Sequence, residues 1–387
     1  MTPASILFVI TRSDAIGGAH IHVRDMAAAL RSIGVDACVA VGGDGPYLER
    51  LAERGIPVER LEHLVRPIQP LEDARALKEL ATLLRARRPT LVSAHSSKAG
   101  LLARMACRSL NVPVVFTAHG WSFTDGVGVR TAQVYKQVER FAGLLADRII
   151  TVSRFDQRIA EQARVGGVRR LRTVHNGMPA IAVPKTIAKR KTGPVRLVMT
   201  ARLDDQKDHQ TLLTALGQLR DCLWQLDLIG EGPLLPTLQQ QAQDLGIIDR
   251  IRFLGLRNDV ADLLGASDVF LLISHWEGFP RSILEGMRAG LPVVATDVAG
   301  VSESVCEGLN GFLVARHDAD DLARKLRPLL EDAELRRSMG AAGRQRFLNE
   351  FTFDRMFRQT LGVYDEVMAE RGLATRFFPM MGEVPDA

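Results

Sequence analysis

Short runs of apolar and β-branched residues alternate with longer stretches of helical periodicity along most of the 387-residue chain. In the first half, Ile6–Thr11, Asp36–Val41, Leu91–Ala94, Pro113–Ala118, Arg148–Ser153 and Arg172–His175 read as strands. Between them, a Gly-rich turn with a helix through Leu30, then Leu71–Arg87, Lys98–Ser109 and Val129–Ala146, repeat apolar positions every three to four residues, as helices do. This βα alternation predicts a parallel sheet covered on both faces. It breaks at Pro184–Pro194, a polar, basic stretch bracketed by prolines, which reads as an interdomain linker. The pattern then restarts with Val195–Thr200, Trp224–Ile229, Ile251–Leu254, Val269–Ser274, Pro292–Thr296 and Gly311–Val314, and a helix follows from about Asp354 to Arg371. The predicted fold is α/β, with two doubly wound domains at 1–185 and 195–364, a linker at 186–194, and a helix end and tail at 365–387. Such sheets bind ligands outside the carboxyl ends of their strands, so two in tandem predict a shared cleft.

Composition narrows the class. Apolar residues make up 46% and charged residues 25%, ordinary for a globular protein. Cys38, Cys107, Cys222 and Cys306 are scattered without a CxxC pair, which points to buried thiols in a reducing compartment. The start of the chain has no basic segment leading into an apolar stretch, and no apolar run approaches the roughly 18 residues that suggest a membrane span. A cytoplasmic protein is expected. Residues 1–191 hold 29 Lys and Arg against 16 Asp and Glu, whereas 192–387 hold 21 against 29. The basic first half suggests an anionic partner, with nucleic acid, a membrane surface and a phosphorylated lipid as candidates, beside a merely solvated basic face.

The most informative segment is Glu277–Glu285, with two glutamates eight positions apart around Gly278-Phe279-Pro280. It lies between a strand and a helix. The first carboxylate then sits in the loop at the strand's C-terminal end, and the second one turn into the helix. Between them, the amides of Ser282, Ile283 and Leu284 are helix-start donors suited to a diphosphate. Carboxylates on both sides of a phosphate cradle suit a ligand with hydroxyls at both ends. An acidic helix start that merely stabilises the helix is the competing reading. Arg202 closes the strand Val195–Thr200, and Lys207 lies in the following acidic turn. Both could neutralise a leaving diphosphate, or form a salt-bridged turn with Asp204, Asp205 or Asp208. His119 ends the strand before Gly120-Trp121 and could bond a sugar hydroxyl, although His95 occupies a similar strand end. Gly17-Gly18 follows the first strand without the G-x-G-x-x-G dinucleotide fingerprint, which argues against a nicotinamide enzyme. Asp318-Ala319-Asp320 leads straight into a helix, so capping explains it better than metal binding.

Together these loops resemble the retaining glycosyltransferases with two Rossmann-like domains, the GT-B architecture, specifically glycosyltransferase family 4. Glu277–Glu285 fits that family's E-x7-E motif, supported by Gly230-Glu231-Gly232-Pro233, Phe253-Leu254-Gly255, Gly290–Thr296, Ser96–Gly100, Thr117–Gly120 and His175-Asn176-Gly177. Two positions depart from the pattern: Ala201 precedes Arg202 where glycine is common, and Gly286 follows Glu285 where alanine is usual. The resemblance implies that Glu285 binds the nucleotide ribose and Glu277 the transferred sugar. It implies that Arg202, Lys207 and the amides of Ile283 and Leu284 hold the diphosphate. His119 would contact the donor sugar near the reacting carbon, Gly18 would give the acceptor close access, and Leu256 and Arg257 would meet the base. The co-substrate would be a nucleoside-diphosphate sugar, uridine favoured over guanosine, with no cofactor, no required metal and no nucleic-acid partner.

The segments from Ser93 to Phe123 resemble family members that build bacterial surface polysaccharides, such as lipopolysaccharide and exopolysaccharide. Their acceptors are often saccharides on a polyprenyl-diphosphate carrier, and such an acceptor is expected here. Helix Val129–Ala146 carries Val134, Val138, Phe141 and Leu145 on one stripe, with Arg130, Lys136 and Arg140 elsewhere and Trp121 and Phe123 in the preceding loop. The stripe either packs on the core or docks the enzyme peripherally on an anionic cytoplasmic leaflet. A nucleotide-sugar 2-epimerase of the same architecture and a non-enzymatic basic membrane-binding module are the competing functions.

Overall fold

The computed structural model describes residues 4–14, 16–124, 126–181, 193–374 and 376–377. Its apolar runs become strands because both faces of each sheet are covered. In β1 (Ser5–Ile10), every residue after Ser5 is buried, which is why the run is continuously apolar rather than alternating. The chain forms two units: Met1–Asn176 with Met356–Ala387, and Gly177–Arg355.

The first unit runs β1, α1 (Gly18–Ser32), β2 (Asp36–Gly42), α2 (Tyr47–Ala52), β3 (Val58–Leu61), α3 (Pro70–Arg87), β4 (Leu91–His95), α4 (Ser97–Leu110), β5 (Val114–Ala118), α5 (Val129–Leu145), β6 (Arg148–Thr151), α6 (Arg154–Gln162) and β7 (Leu171–Thr173). Its seven strands pair in parallel in the order β3-β2-β1-β4-β5-β6-β7. The second unit runs β8 (Val195–Thr200), α7 (His209–Gly217), β9 (Trp224–Ile229), α8 (Leu235–Asp244), β10 (Ile251–Phe253), α9 (Val260–Gly265), β11 (Val269–Leu272), α10 (Arg281–Arg288), β12 (Val293–Thr296), β13 (Gly311–Val314), α11 (Ala319–Glu331) and α12 (Ala333–Glu350). Six parallel strands lie in the order β10-β9-β8-β11-β12-β13. Strand order reverses between β1 and β4 in one sheet and between β8 and β11 in the other. These are the switch points where open α/β sheets bind ligands.

Helix α13 (Phe353–Glu370) starts in the second unit and, from Met356 onward, belongs to the first. Ion pairs hold it there: Arg148 meets Glu366 and Glu370, and Arg371 forks onto Asp147 with both contacts at 2.9 Å. Phe377 is fully buried with its ring edge-on to Tyr364. The expected linker falls almost wholly at 182–192, outside the described residues. Strand β3 was not expected: it is a four-residue edge strand, mostly half-exposed, and its two central residues are charged. Strand β11 stops at Leu272 rather than Ser274, because Ser274 leaves the ladder to bridge Lys207 in antiparallel fashion. As expected, Asp318 caps α11, its carboxylate accepting from the Asp321 amide.

One buried ion pair joins α4 to α5. Arg104 and Glu139 are almost inaccessible and lie 3.0 Å apart. The guanidinium also donates to Gly100 O and lies 4.1 Å from the centroid of the Phe116 ring. Helix α5 therefore turns its Glu139, Ala142 and Gly143 face inward. The predicted stripe mostly faces the other way: Val134 and Phe141 are more than half exposed and Val138 is exposed, while Leu145 is half-buried. The core-facing alternative for the stripe thus fails for Val134, Val138 and Phe141. Trp121 does not join it: the indole is buried, donates to Asp156 O at 2.8 Å and stacks on Phe123.

Candidate functional site

At the switch point of the second sheet, the loops after β8 and β11 are zipped by backbone hydrogen bonds. Asp208 N donates to Ile273 O and His275 N to Gln206 O, both at 2.9 Å. This registration brings Lys207 and Glu277 into a largely buried ion pair. Ser274 Oγ donates to the same Glu277 carboxylate at 2.7 Å, and Gln206 Nε2 ties the turn to Trp276 O. Sequence reading found the two charged partners but not Ser274 or Gln206. Their role comes from antiparallel pairing between loops far apart in sequence, which no local pattern announces.

Glu277 continues through Pro280, the N-cap of α10, which offers no side-chain cap; the helix has no acidic residue in its first turn. The first-turn amides at Ser282, Ile283 and Leu284 thus form a helix start whose positive end no side chain of the cap neutralises. Ile283 and Leu284 are buried and fix the helix on the sheet. Glu285 stands one turn in. Burial pushes its carboxyl above the usual glutamate range, opposed by Arg288 and Arg281. Gly286, the departure noted from sequence, has a packing cause: a Cβ there would come within 2.6 Å of Phe270 Cγ on β11.

Arg202 is well exposed and paired with Asp204 at 2.9 Å and with Gln206 Oε1 at 2.9 Å, so the salt-bridged turn exists. The loop at Gly230 presses on this segment. Gly230 has φ +140, and a Cβ on it would lie 2.0 Å from Ala201 O. Leu256 is exposed, with its amide 3.4 Å from Glu231 Oε1, and Arg257 is paired with Asp259. These residues all belong to the second unit.

Gly18 and His119 belong to the first unit. Gly17 caps α1 with extended backbone, and a Cβ on it would meet only His20 Nδ1, at 4.0 Å. Neither strain nor packing demands glycine at that position. His119, half-buried, follows β5, and its Nε2 lies 3.0 Å from His95 Nδ1. His95 is fully buried at the end of β4, and its imidazole is held well below the usual histidine range, first by burial and then by His119 and His20. His95 is therefore a neutral partner of His119 rather than a rival to it. His22 of α1 lies against both rings, with centroids 5.4 and 5.0 Å away. Among the described residues, His22, His95 and His119 have metal-ligating atoms within 4.8 Å of one another, as do Asp208, His275 and His317, and Glu62, His63 and Glu79.

Both halves of the chain match known protein families. The family model for glycosyl transferases group 1 matches residues 185–346, and that for the glycosyl transferase 4-like domain matches residues 17–177. The chain is 29% identical over 323 residues to the UDP-Gal:alpha-D-GlcNAc-diphosphoundecaprenol alpha-1,3-galactosyltransferase of Escherichia coli, covering 80% of this chain and 83% of that one. It is 26% identical over 343 residues to the Escherichia coli O-antigen biosynthesis glycosyltransferase WbnH, covering 89% and 95%. Among solved structures, Anabaena Alr3699/HepE in complex with UDP-glucose superposes with a TM-score of 0.80 at 26% identity, covering 94% of this chain and 99% of that one. No helix among the described residues is long and apolar enough to cross a membrane.

Proposed function

The chain belongs to the glycosyltransferases of GT-B architecture, and on that premise we propose that it moves a sugar from a UDP-sugar to a lipid-linked saccharide acceptor with retention of anomeric configuration. The observation that carries this reading is the Lys207–Glu277 pair at the β8/β11 switch point, beside the uncapped start of α10. In the free enzyme each charge neutralises the other. An entering diphosphate competes for Lys207, which frees Glu277 to accept hydrogen bonds from the sugar. As the glycosidic bond lengthens, negative charge grows on the diphosphate. On this reading Lys207, Arg202 and the α10 amides meet that charge, and fixed donors of this kind lower the barrier most. With these cations in place, the leaving group needs no divalent ion. Glu277, held by Ser274 and engaged with the sugar hydroxyls, acts by binding rather than as a nucleophile. The acceptor then attacks from the face the diphosphate leaves, through an oxocarbenium-like state, which preserves configuration.

Uridine as the base is supported by the UDP-Gal-dependent relative and the UDP-glucose complex, and a polyprenyl-diphosphate acceptor by the relative's diphosphoundecaprenol substrate. The reading places Glu285 on the ribose. Its carboxyl titrates above the unfolded value, so ionising it costs the free protein stability at pH 7, and that cost vanishes as pH falls below about 4.3. Glu285→Gln is therefore expected to raise the melting temperature of the nucleotide-free protein at pH 7, with the gain lost in acid. The same substitution removes a charged acceptor worth about 1.5–3 kcal/mol, so UDP-glucose should bind roughly 10–100-fold more weakly by calorimetry. Unchanged affinity would remove Glu285 from the nucleotide site.

The outward stripe of α5 supports peripheral docking on the cytoplasmic leaflet, where a lipid-linked acceptor would lie. Arg130 is exposed and Lys136 half-exposed, while Arg140 is tied to Ala163 O. Each cation near an anionic surface contributes up to about 1 kcal/mol. In flotation assays the protein should follow anionic vesicles, and Arg130→Glu with Lys136→Glu should abolish this. Equal binding to neutral vesicles would count against the site.

A further inference from the structure

We propose that Tyr364, Ser93 and His95 form a hydrogen-bond relay that fixes the tautomer of His119, leaving its proton on Nδ1. All four residues lie in the first unit. The relay starts on α13, where the buried Tyr364 hydroxyl donates to Ser93 Oγ at 2.8 Å. Ser93 and His95 sit two positions apart on β4 and so project from the same face. A serine hydroxyl has a single hydrogen. With Tyr364 donating to Ser93, that hydrogen has His95 Nε2 as its partner, 3.0 Å away. His95 Nε2 then accepts and is the unprotonated nitrogen, so the His95 proton lies on Nδ1. That nitrogen faces His119 Nε2 at 3.0 Å and donates to it. His119 Nε2 is thereby an acceptor, and its own proton lies on Nδ1. The reverse polarity would leave the Ser93 hydrogen without an acceptor, or make Tyr364 accept and strand its own hydrogen, in a place closed to water.

Each link is rigid. Ser93, His95 and Tyr364 are at most 1% exposed, and Phe8 of β1 stacks on the His95 ring at 5.8 Å. Burial also keeps the Tyr364 phenol protonated, and therefore a donor, well beyond the usual range. Tyr364, Ser93 and His95 are positioning residues: they act on the ring of His119, and none is assigned a contact with substrate. The consequence rests on the reading of His119 as the donor-sugar contact. A neutral imidazole with Nε2 engaged by His95 offers the sugar a donor, never an acceptor, and so selects a sugar oxygen with a lone pair turned toward it.

The test is a two-bond proton–nitrogen correlation spectrum of histidine-labelled protein, with the His119 signal assigned by its loss in His119→Asn. Wild-type His119 should show the Nδ1–H tautomer. Ser93→Ala, which removes the polarising hydroxyl, should shift His119 toward a tautomer mixture, and Tyr364→Phe should do so to a smaller extent and stands alone if Ser93→Ala does not fold. A wild-type Nε2–H signal, or a His119 pattern unmoved by both variants, overturns the relay. Turnover measured alongside addresses the underlying reading separately. A shifted tautomer with kcat down roughly tenfold and KM little changed supports both. A shifted tautomer with normal turnover keeps the relay and removes His119 from the sugar.

Discussion

Lys207→Ala is expected to lower turnover by about 10²–10³, the usual loss when one preorganised donor to a developing negative charge is removed. The ion pair with Glu277 adds a second effect. Without Lys207, the Glu277 carboxylate keeps Ser274 as its hydrogen-bond donor but loses its countercharge in a largely buried position. Affinity for the donor sugar should therefore fall together with kcat, because an unbalanced carboxylate repels the incoming diphosphate. Arg202→Ala should act more weakly, since that side chain is well exposed and already shared between Asp204 and Gln206. Steady-state transfer assays decide the matter, and a Lys207→Ala enzyme with near-normal kcat would break the assignment. A double substitution with Glu277→Gln should cost less than the two single losses together, as neighbours in one network do.

The largest expected loss of stability is far from that site. Glu139→Ala leaves the Arg104 guanidinium buried without its countercharge between α4 and α5. Breaking a buried pair from one side typically costs about 3–5 kcal/mol. Burial already depresses Arg104 below the usual arginine range, with Glu139 opposing that shift. Denaturant unfolding should show the loss directly. Replacing both members by apolar residues of similar volume, Arg104→Met with Glu139→Leu, should recover most of it, because no charge then remains in the interior. If the single and double variants unfold alike, the pair contributes no more than its packing.

The sheets were legible because their strands are buried on both faces and so write continuous apolar runs into the sequence. Strand β3 was not, since an edge strand half open to solvent can carry Glu59 and Arg60 in its centre. Lys207 and Glu277 could be singled out by type and position. Their pairing could not, because it depends on Asp208 and His275 meeting Ile273 and Gln206 across the switch point. His95 looked like a competitor of His119 when only strand ends were compared. Its burial and its bond to Ser93 turn it into a support. The α5 stripe carried the opposite lesson. Helical periodicity reveals an apolar face but not which way it points, and here the buried side is set by Glu139 reaching Arg104. Gly286 departs from the family pattern, and Phe270, which occupies the space a Cβ would need, gives the reason that sequence alone does not show.

Helix α13 gives the first unit an unusual history during synthesis. Its sheet emerges from the ribosome early, yet Tyr364, Glu366, Glu370 and Arg371, which close over Ser93, Arg148 and Asp147, come roughly 190 residues after Asn176. At about 5–20 residues per second, the nascent half waits on the order of 10–40 s for its last piece. Throughout that interval the flank of β4 and β6 is uncovered and open to chaperones. Separating the halves at the linker would make this condition permanent for the amino-terminal fragment.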